Sequence, residues 1–216
     1  MLAIKKRSLV DMVYDKLRES IIELKIPLGS KLNVNELQER MGVSCTPIRE
    51  AINRLQQEGL VVYENNVGAH IISLEPHDVL EIQQLAMTLH CAAIRLAMAN
   101  GDRDAIVTEL RQRLAEYTAA TTTQEEVAAI NAFLGTYYHN CGNHRLDHHM
   151  LAIQGQQMIL RHIFASCIIE RGVDAAMFRQ MLDDTVGGDA EAVCRTLQRY
   201  TDRMTLVVEG KVVTEQ

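Results

Sequence analysis

The chain has 216 residues, 47% of them hydrophobic, and a formal net charge of −6. This length and apolar content suit one large or two modest domains with ordinary cores, and they exclude an intrinsically disordered chain. No apolar run approaches the roughly 20 residues of a membrane helix and no signal peptide is recognisable, so we expect a soluble cytoplasmic protein that does not bind membranes.

The five cysteines, at positions 45, 91, 141, 167 and 194, are widely and irregularly spaced. An odd number without a C-x-x-C pair argues against a disulfide framework or a zinc knuckle. Scattered thiols are seldom reactive, so redox sensing is the lesser interpretation, and Cys45 would be the thiol concerned.

The first predicted element is a helix over residues 8–26. Apolar side chains recur there at helical spacing, with charged residues between them, at Leu9, Val13, Leu17, Ile21 and Leu24. This pattern is typical of a support helix that packs one face against a core. Two interpretations of the preceding Lys5, Lys6 and Arg7 stay open, a contact with a phosphate backbone and a solvated chain end.

Two short helices are predicted next. The first covers residues 35–41; it begins after Asn33, a typical N-cap, and ends at Gly42, which tolerates a left-handed backbone. A tight turn leads to the second helix, residues 46–58, which Gly59 ends.

The second of these helices has two distinct faces. Its apolar residues share one face and are Ile48, Ala51, Ile52 and Leu55. Its outward-facing residues are polar and are Thr46, Arg49, Glu50, Asn53 and Gln57. Helix, glycine turn and a second helix with an arginine on its outer face are typical of a helix-turn-helix that reads the DNA major groove.

A β-hairpin is predicted after these helices. Residues 60–63 and 69–72 are rich in β-forming side chains, and residues 64–68 between them are rich in turn formers. The hairpin completes a winged helix-turn-helix.

This segment resembles the DNA-binding domain of the GntR family of bacterial transcription regulators. The matching positions are Leu32, Glu36, Leu37, Gly42, Val43, Ser44, Thr46, Pro47, Arg49, Glu50, Ala51, Arg54, Leu55, Gly59, Leu60, Val61 and Gly68. Asn35 and Cys45 depart from the pattern, because the family often has DNA-contacting arginines at these positions. The operator sequence therefore cannot be transferred from relatives.

The resemblance implies double-stranded operator DNA as a partner, and the predicted DNA-binding residues are Asn35, Ser44, Cys45, Thr46, Arg49, Asn53, Arg54 and Gly68. Arg49 is the candidate for reading guanine, whereas Ser44 and Thr46 suit phosphate contacts and Gly68 lets the wing approach the minor groove. Up to Glu75 the chain has ten basic and ten acidic residues, whereas residues 76–216 have twelve and eighteen. The excess acid thus lies outside the predicted DNA-binding domain.

After Pro76 the chain contains no proline and shows helical periodicity almost to its end. The predicted helices cover residues 77–99, 103–120, 123–141, 144–168, 173–186 and 189–208, with glycine breaks that include Gly101, Gly172 and Gly187-Gly188. Six antiparallel helices form a bundle whose interior commonly holds a ligand. The fold class is therefore mainly α, with a winged helix-turn-helix in residues 1–75 and an all-helical bundle in residues 76–216.

The bundle resembles the FCD effector domain of fatty-acid-regulator-like GntR proteins. Phe133 followed by Gly142-Asn143, and Gly188-Asp189-Ala190-Glu191-Ala192, carry this resemblance. Six helices rather than seven place the chain nearer the vanillate-regulator subgroup. The resemblance implies a homodimer and a small-molecule effector, and dimerisation also follows because one short reading helix contacts few base pairs.

Many FCD relatives chelate a metal with one Asp and three His. The positions matched here are Ile130, Leu134, Phe178 and Tyr200, which cannot bind zinc-like ions, so we expect no metal and no cofactor. Ala86 and His90 likewise stand where relatives often have Arg and Glu. A small carboxylate held by metal and arginine is therefore disfavoured as the effector.

A histidine cluster between His139 and His149 offers a different metal site, since His144 and His148 lie four residues apart on a predicted helix. The surrounding sequence is very polar, which favours a solvated face over a metal site. Sensing of pH is a further interpretation.

The candidate effector-pocket residues are His90, Leu134, Tyr138, Arg161, Phe178 and Tyr200. The alternative is that Leu134, Phe178 and Tyr200 simply fill the core. We expect a repressor controlled by an effector in a metal-free pocket; the alternatives are a constitutive DNA-binding dimer without effector, and a metal-dependent protein that uses the histidine cluster. An enzyme is not expected, because the sequence has no recognisable nucleophile–base pair and no phosphate-binding glycine loop.

Overall fold

The computed structural model describes residues 8–64, 67–167 and 171–214. The chain divides between Leu74 and Glu75 into two compact units, each with its own buried core. Lys5, Lys6 and Arg7, for which a phosphate contact or a solvated end was considered, lie outside the described residues, as do Asn65 and Asn66 of the predicted wing loop.

The described part of the first unit contains three helices and two strands: α1 (Leu9–Ile22), α2 (Val34–Met41), α3 (Cys45–Gln57), β1 (Val61–Glu64) and β2 (Gly68–Ile71). The strands are antiparallel, with Val61 opposite Ile71 and Glu64 opposite Gly68. Helix α3 packs against α1, α2 and β1. It is therefore the central element of this unit.

Helix α1 begins at a capping box, in which the Asp11 N–H donates to the Ser8 hydroxyl and the Ser8 N–H donates to the Asp11 carboxylate, each at 3.1 Å. The prediction that this helix continues to residue 26 is wrong. It ends at Ile22, because Leu24 adopts a left-handed backbone with φ of 58°. Leu24 is half-buried, which explains why its position fits the apolar spacing.

The second unit contains six helices among its described residues: α4 (Pro76–Asn100), α5 (Arg103–Ala119), α6 (Thr123–Asn140), α7 (His144–Cys167), α8 (Arg171–Gly187) and α9 (Ala190–Thr214). Helix α4 packs against α6, α7 and α9, and α5 packs against α6 and α8. The predicted all-helical unit is confirmed. The predicted break at Gly172 is wrong, because this residue lies in the first turn of α8.

The mainly α fold class, with a winged helix-turn-helix ahead of a helical unit, is also confirmed. Among the described residues, none of the helices combines the length and the apolar character required to cross a bilayer.

Candidate nucleic-acid interface and interior cavity

The turn between α2 and α3 has the local geometry that its sequence predicts. The Asn33 side-chain oxygen accepts the Asn35 N–H at 3.0 Å and caps α2. Gly42 ends that helix with φ of 66°, a left-handed conformation that glycine adopts without steric cost. Ser44 is the N-cap of α3 by its backbone, but its side chain makes no capping hydrogen bond.

Helix α3 has the two faces expected from its sequence. Its buried residues are Pro47, Ile48, Ala51, Ile52 and Leu55. Its exposed polar residues are Thr46, Arg49, Glu50, Asn53, Arg54, Gln56 and Gln57. The buried face anchors the helix in the unit, so the polar face is free to meet a partner.

Polar contacts fix the C-terminal half of α3 and the residue after it to α1. The Tyr14 hydroxyl and the Arg18 Nε both donate to the Glu58 carboxylate, the latter at 2.9 Å. Burial first, and then the neighbouring Glu58 carboxylate, raises the pKa of Tyr14 to about 12, so the phenol stays a donor.

Arg54, a predicted DNA-binding residue, is engaged within the unit. Its Nη1 donates to Asp11 Oδ1 at 2.8 Å, and its guanidinium lies 5.9 Å from the centroid of the Tyr14 ring. The Arg54 hydrogen bond, followed by bonds from Ser8, lowers the pKa of Asp11 to about 2. Arg49, in contrast, is exposed and forms no ion pair within the described residues.

The remaining predicted DNA-binding residues surround this helix. Asn35 is exposed on α2, and the half-buried Cys45 donates from its Sγ to Gln38 Oε1 at 2.7 Å, which links α3 to α2. Gly68 begins β2 with φ of 106°, and a Cβ atom there would lie 3.8 Å from Cε of Lys31. The position is therefore strained for any other residue.

A partly open cavity of about 310 Å³ lies between α4, α6 and α7 in the second unit. Polar and apolar side chains line it together: His90, Asn131, Ala132, Leu134, Gly135, Tyr138, His139, Asp147, Met150, Leu151, Gln154, Gln157 and Arg161. Four of the predicted pocket residues, His90, Leu134, Tyr138 and Arg161, belong to this lining.

The Arg161 guanidinium is buried at this cavity without a counter-charge. Its residue is 4% exposed, and its Nη1 donates to Asn131 Oδ1. Its Nε has no hydrogen-bond partner in the described part of the chain, and no carboxylate of those residues lies within ion-pair distance. Burial lowers the pKa of Arg161, which reflects the unfavourable desolvation of its charge.

His90 lies at the same cavity and is neutral. Its Nδ1 is 3.1 Å from the Tyr138 hydroxyl, and the two rings meet edge to face. Desolvation first, and then the Arg161 charge, lowers the pKa of His90 to about 3. Its Nε2 and the Asn131 Nδ2 have no hydrogen-bond partner among the described residues.

The other two predicted pocket residues, Phe178 and Tyr200, lie outside this lining. Their ring centroids are 5.1 Å apart, Phe178 also meets Phe133 at 5.2 Å, and Tyr200 meets Phe164 at 5.8 Å. Both residues are 1% exposed. Both side chains therefore lie in the buried core of the second unit.

The positions matched to the metal ligands of FCD relatives are all buried, with Ile130 and Leu134 each 3% exposed. Across the described ranges, no three His, Cys, Asp or Glu side chains are grouped so as to hold a metal ion. His144 and His148 are exposed on α7, and the His148 ring meets the His149 ring edge to face.

Sequence reasoning missed Asn131 and Gln157 at the cavity, where Gln157 Nε2 donates to Gln83 Oε1 at 2.9 Å. A signal was available for Asn131, because it precedes Leu134 and Tyr138 by three and seven residues on α6 and so shares their helical face. A similar signal exists for Gln157, because it precedes Arg161 by four residues on α7 and so shares its helical face.

This winged helix-turn-helix, with its exposed polar reading helix, is that of a DNA-binding transcription regulator. The family model of bacterial regulatory proteins of the GntR family matches residues 9–71. An uncharacterised HTH-type regulator of Agrobacterium vitis is 32% identical over 119 residues, which are 55% of this chain and 70% of that relative. The chain belongs to the GntR family.

A second uncharacterised HTH-type regulator, from Streptomyces ambofaciens, is 29% identical over 188 residues, 87% of this chain and 79% of that relative. Two solved structures share the fold. A GntR regulator of Rhodococcus sp. RHA1 has a TM-score of 0.77 at 21% identity, covering 94% of this chain and 99% of its own. The E. coli protein McbR/YncC has a TM-score of 0.79 at 19% identity, and the match covers 95% of this chain and 99% of that protein. The relatives and the fold are those of transcription regulators, not enzymes.

Proposed function

We propose that this chain is a dimeric repressor of transcription that binds operator DNA through α3 and the wing and responds to a small anion in the α4–α6–α7 cavity. The observation that carries the effector part is the Arg161 guanidinium, which is buried at the cavity and has no counter-charge among the residues that the structure describes. The protein would act on DNA in the cytoplasm and need no metal.

The exposed face of α3 supports the DNA part of the proposal. Arg49 is exposed there, and its planar guanidinium can donate two hydrogen bonds to O6 and N7 of guanine. Ser44 and Thr46 are exposed at the start of the helix, where side-chain and backbone donors suit phosphate. Cys45 and Asn35, in place of the arginines common in relatives, give the chain its own operator preference.

Residues 76–216 form the effector-binding and dimerisation domain in this proposal. One reading helix contacts few base pairs, so pairing two chains about a twofold axis doubles the DNA site. The six described helices of this unit support its assignment to the FCD branch, near the vanillate-regulator subgroup.

An anion would form an ion pair with Arg161 and so offset the unfavourable free energy of burying its charge. Among the described residues, Asn131 Nδ2 and His90 Nε2 also have no hydrogen-bond partner. Both side chains line the cavity, where each could donate a hydrogen bond to that anion. Asp147, the acidic residue of the lining, forms no ion pair with Arg161. In this proposal an anion bound by Arg161, with hydrogen bonds from Asn131 and His90, replaces the combination of metal and arginine that the sequence disfavours.

The DNA part is tested with sites selected from a random DNA library by the wild-type protein. Arg49→Ala should lower affinity for the selected site by about 10- to 100-fold, since a bidentate arginine–guanine contact is worth about 1–3 kcal/mol. Gln57→Ala, exposed on the same helix, is the matched control and should keep its preference. Unchanged preference in a folded Arg49→Ala protein overturns the assignment.

The effector part is tested by thermal unfolding of protein without a histidine tag, with small carboxylates, their neutral amides, inorganic phosphate and divalent metals, each with and without chelator. An anion that binds the folded state should raise the midpoint, the amide should not, and chelator should have no effect. Arg161→Met should abolish the shift, and Arg111→Met, at an exposed position on α5, should keep it. A shift that requires metal favours the His144 and His148 cluster, and no shift with any compound favours the dimer without effector.

A further inference from the structure

Two of the cysteines lie face to face between α4 and α9. Cys91 on α4 is half-buried, and Cys194 on α9 is 5% exposed. Their side chains face each other where α4 packs against α9, although 102 residues lie between them in the sequence. This contact is independent of the cavity that holds Arg161.

Two contacts on either side fix the position of this thiol pair. Toward the start of α4, the Thr201 hydroxyl contacts Sδ of Met87 at 3.8 Å. Four residues beyond Cys91, Arg95 Nε and Nη2 donate to the Glu191 carboxylate at 2.6 and 2.9 Å. Residue numbers rise along α4 as they fall along α9, so the helices are antiparallel, and this register holds the two thiols opposite each other.

Solvent reaches the Cys91 side of the pair. A groove of about 450 Å³ between the two helices is lined by Cys91, together with Met87, Arg95 and Thr201. Cys194 is not part of this lining. A small reagent therefore has access to one thiol and not to the other.

The surroundings also make the two thiols chemically different. A hydrogen bond from Cys194 is the largest effect on the Cys91 thiol and lowers its pKa. Burial raises this pKa and the nearby Arg95 charge lowers it, so that the overall shift is downward. The same hydrogen bond and burial raise the pKa of Cys194. Glu191, which forms an ion pair with Arg95, acts in the opposite direction and raises the pKa of the Cys91 thiol.

We propose that Cys91 and Cys194 are a hydroperoxide-responsive site that forms a reversible disulfide between α4 and α9. The Cys91 thiolate attacks one peroxide oxygen, the O–O bond breaks, and a sulfenic acid forms while hydroxide or alkoxide leaves and takes up the proton lost by Cys91. Cys194 sulfur then attacks Cys91 sulfur and expels hydroxide, which takes the Cys194 proton to form water. The two thiols supply two electrons, and the peroxide is reduced.

The other cysteines provide the contrast. Cys45 donates to Gln38, the buried Cys141 donates to the Tyr138 carbonyl oxygen at 3.2 Å, and Cys167 is exposed at the end of α7. None of these three has a second thiol as partner within the described residues. We therefore expect peroxide to produce one intramolecular disulfide rather than a mixture of oxidised cysteines.

This disulfide would act on the helix that forms one wall of the interior cavity. Cys91 follows His90 directly in α4, and α9 packs against both α4 and α7. A covalent bond restricts the separation of α4 and α9, so oxidation should also raise the thermal midpoint of the full chain.

The experiment oxidises the reduced full-length protein with hydrogen peroxide, blocks remaining thiols at acidic pH and maps peptides by mass spectrometry. A Cys91–Cys194 disulfide that dithiothreitol reverses is expected, with Cys141 still reduced. Cys194→Ser should halt the reaction at a Cys91 sulfenic acid trapped by dimedone, Cys91→Ser should leave Cys194 reduced, and Cys167→Ser is the control that keeps the disulfide.

Mapping of the wild-type protein decides the proposal even if a serine variant fails to fold. A reduced Cys91 after Cys167 has been fully oxidised overturns it. So does a Cys91 disulfide to a second protein molecule, or oxidation of Cys194 in a folded Cys91→Ser protein.

Discussion

His90 and Arg161 line the same cavity, and burial lowers the pKa of both side chains. The consequences differ, because arginine has so high an ordinary pKa that it stays charged whereas histidine stays neutral. The lining of the cavity thus combines a cation from α7 with a neutral imidazole from α4. This combination suits a ligand with one negative charge and a hydrogen-bonding group beside it.

We expect His90 to make the folded protein sensitive to acid. Its pKa is about 3 in the folded state against an ordinary 6.5, so the unfolded state binds more protons between these values. Stability should therefore fall as pH is lowered below 6.5, by about 2 kcal/mol between pH 7 and pH 5 from this group. Urea unfolding at both pH values measures the loss.

The variant His90→Gln should reduce this difference, since glutamine cannot take up the proton. His149→Gln, on the exposed part of α7, should leave it unchanged. If His90→Gln loses as much stability as the wild type between pH 7 and pH 5, His90 is not the group responsible.

At the scale of elements, one face of α3 is fixed in the first unit while its opposite face is exposed to a partner. Its apolar face packs into the first unit, and Arg54 and the adjoining Glu58 bind α1. Arg49, one turn earlier than Asn53 on the outward face, has no such contact within the described residues. The contacts to α1 fix the orientation of α3. The exposed Arg49 side chain takes no part in them and is available to a partner.

We expect Asp11 to stabilise the pairing of α1 with α3 in a pH-dependent way. Its pKa is about 2 in the folded state and below its ordinary 3.8, so its contribution is present above about pH 4 and is lost as pH falls toward 2. Asp11→Asn should lower the thermal midpoint at pH 7 and flatten the decline between pH 4 and pH 2.

A titration of the thermal midpoint with pH measures both effects. Glu39→Gln, an exposed acid on α2, is the control and should behave like the wild type. A decline in Asp11→Asn that is as steep as in the wild type would show that the capping box and the Arg54 contact contribute nothing in this range.

At the scale of the whole molecule, two units have separate cores, and the reading helix belongs to one of them. Leu55 is completely buried on the apolar face of α3. Leu55→Ala should therefore destabilise the first unit by about 2–5 kcal/mol, because a large cavity replaces the lost side chain.

Hydrogen exchange followed by mass spectrometry locates this effect. Faster exchange is expected in peptides from residues 8–74, whereas peptides from residues 75–214 should keep wild-type protection. Loss of protection in both sets would show that the two units unfold together. Ile159→Val, a small change in the buried face of α7, provides the reciprocal control for the second unit.

Local signals in the sequence determined most of the element boundaries. Asn33 and Gly42 were identified as the cap and the end of α2, and Ile48, Ala51, Ile52 and Leu55 as the buried face of α3. These features depend on residues within one or two helical turns, so the sequence contains the whole cause. The end of α1 was missed because apolar spacing continues to Leu24, while its left-handed backbone follows from the turn that the rest of the unit requires.

The sequence by itself therefore determined the winged helix-turn-helix, the helical second unit and the exposed polar face that contains Arg49. Only the tertiary structure decided which pocket candidates share a cavity: Arg161 and His90 meet across α4 and α7, whereas Phe178 and Tyr200 pack together in the core. It also brought Cys91 against Cys194. Spacing along one helix identifies a face, but contacts between distant helices depend on their relative positions and register, which no local pattern specifies.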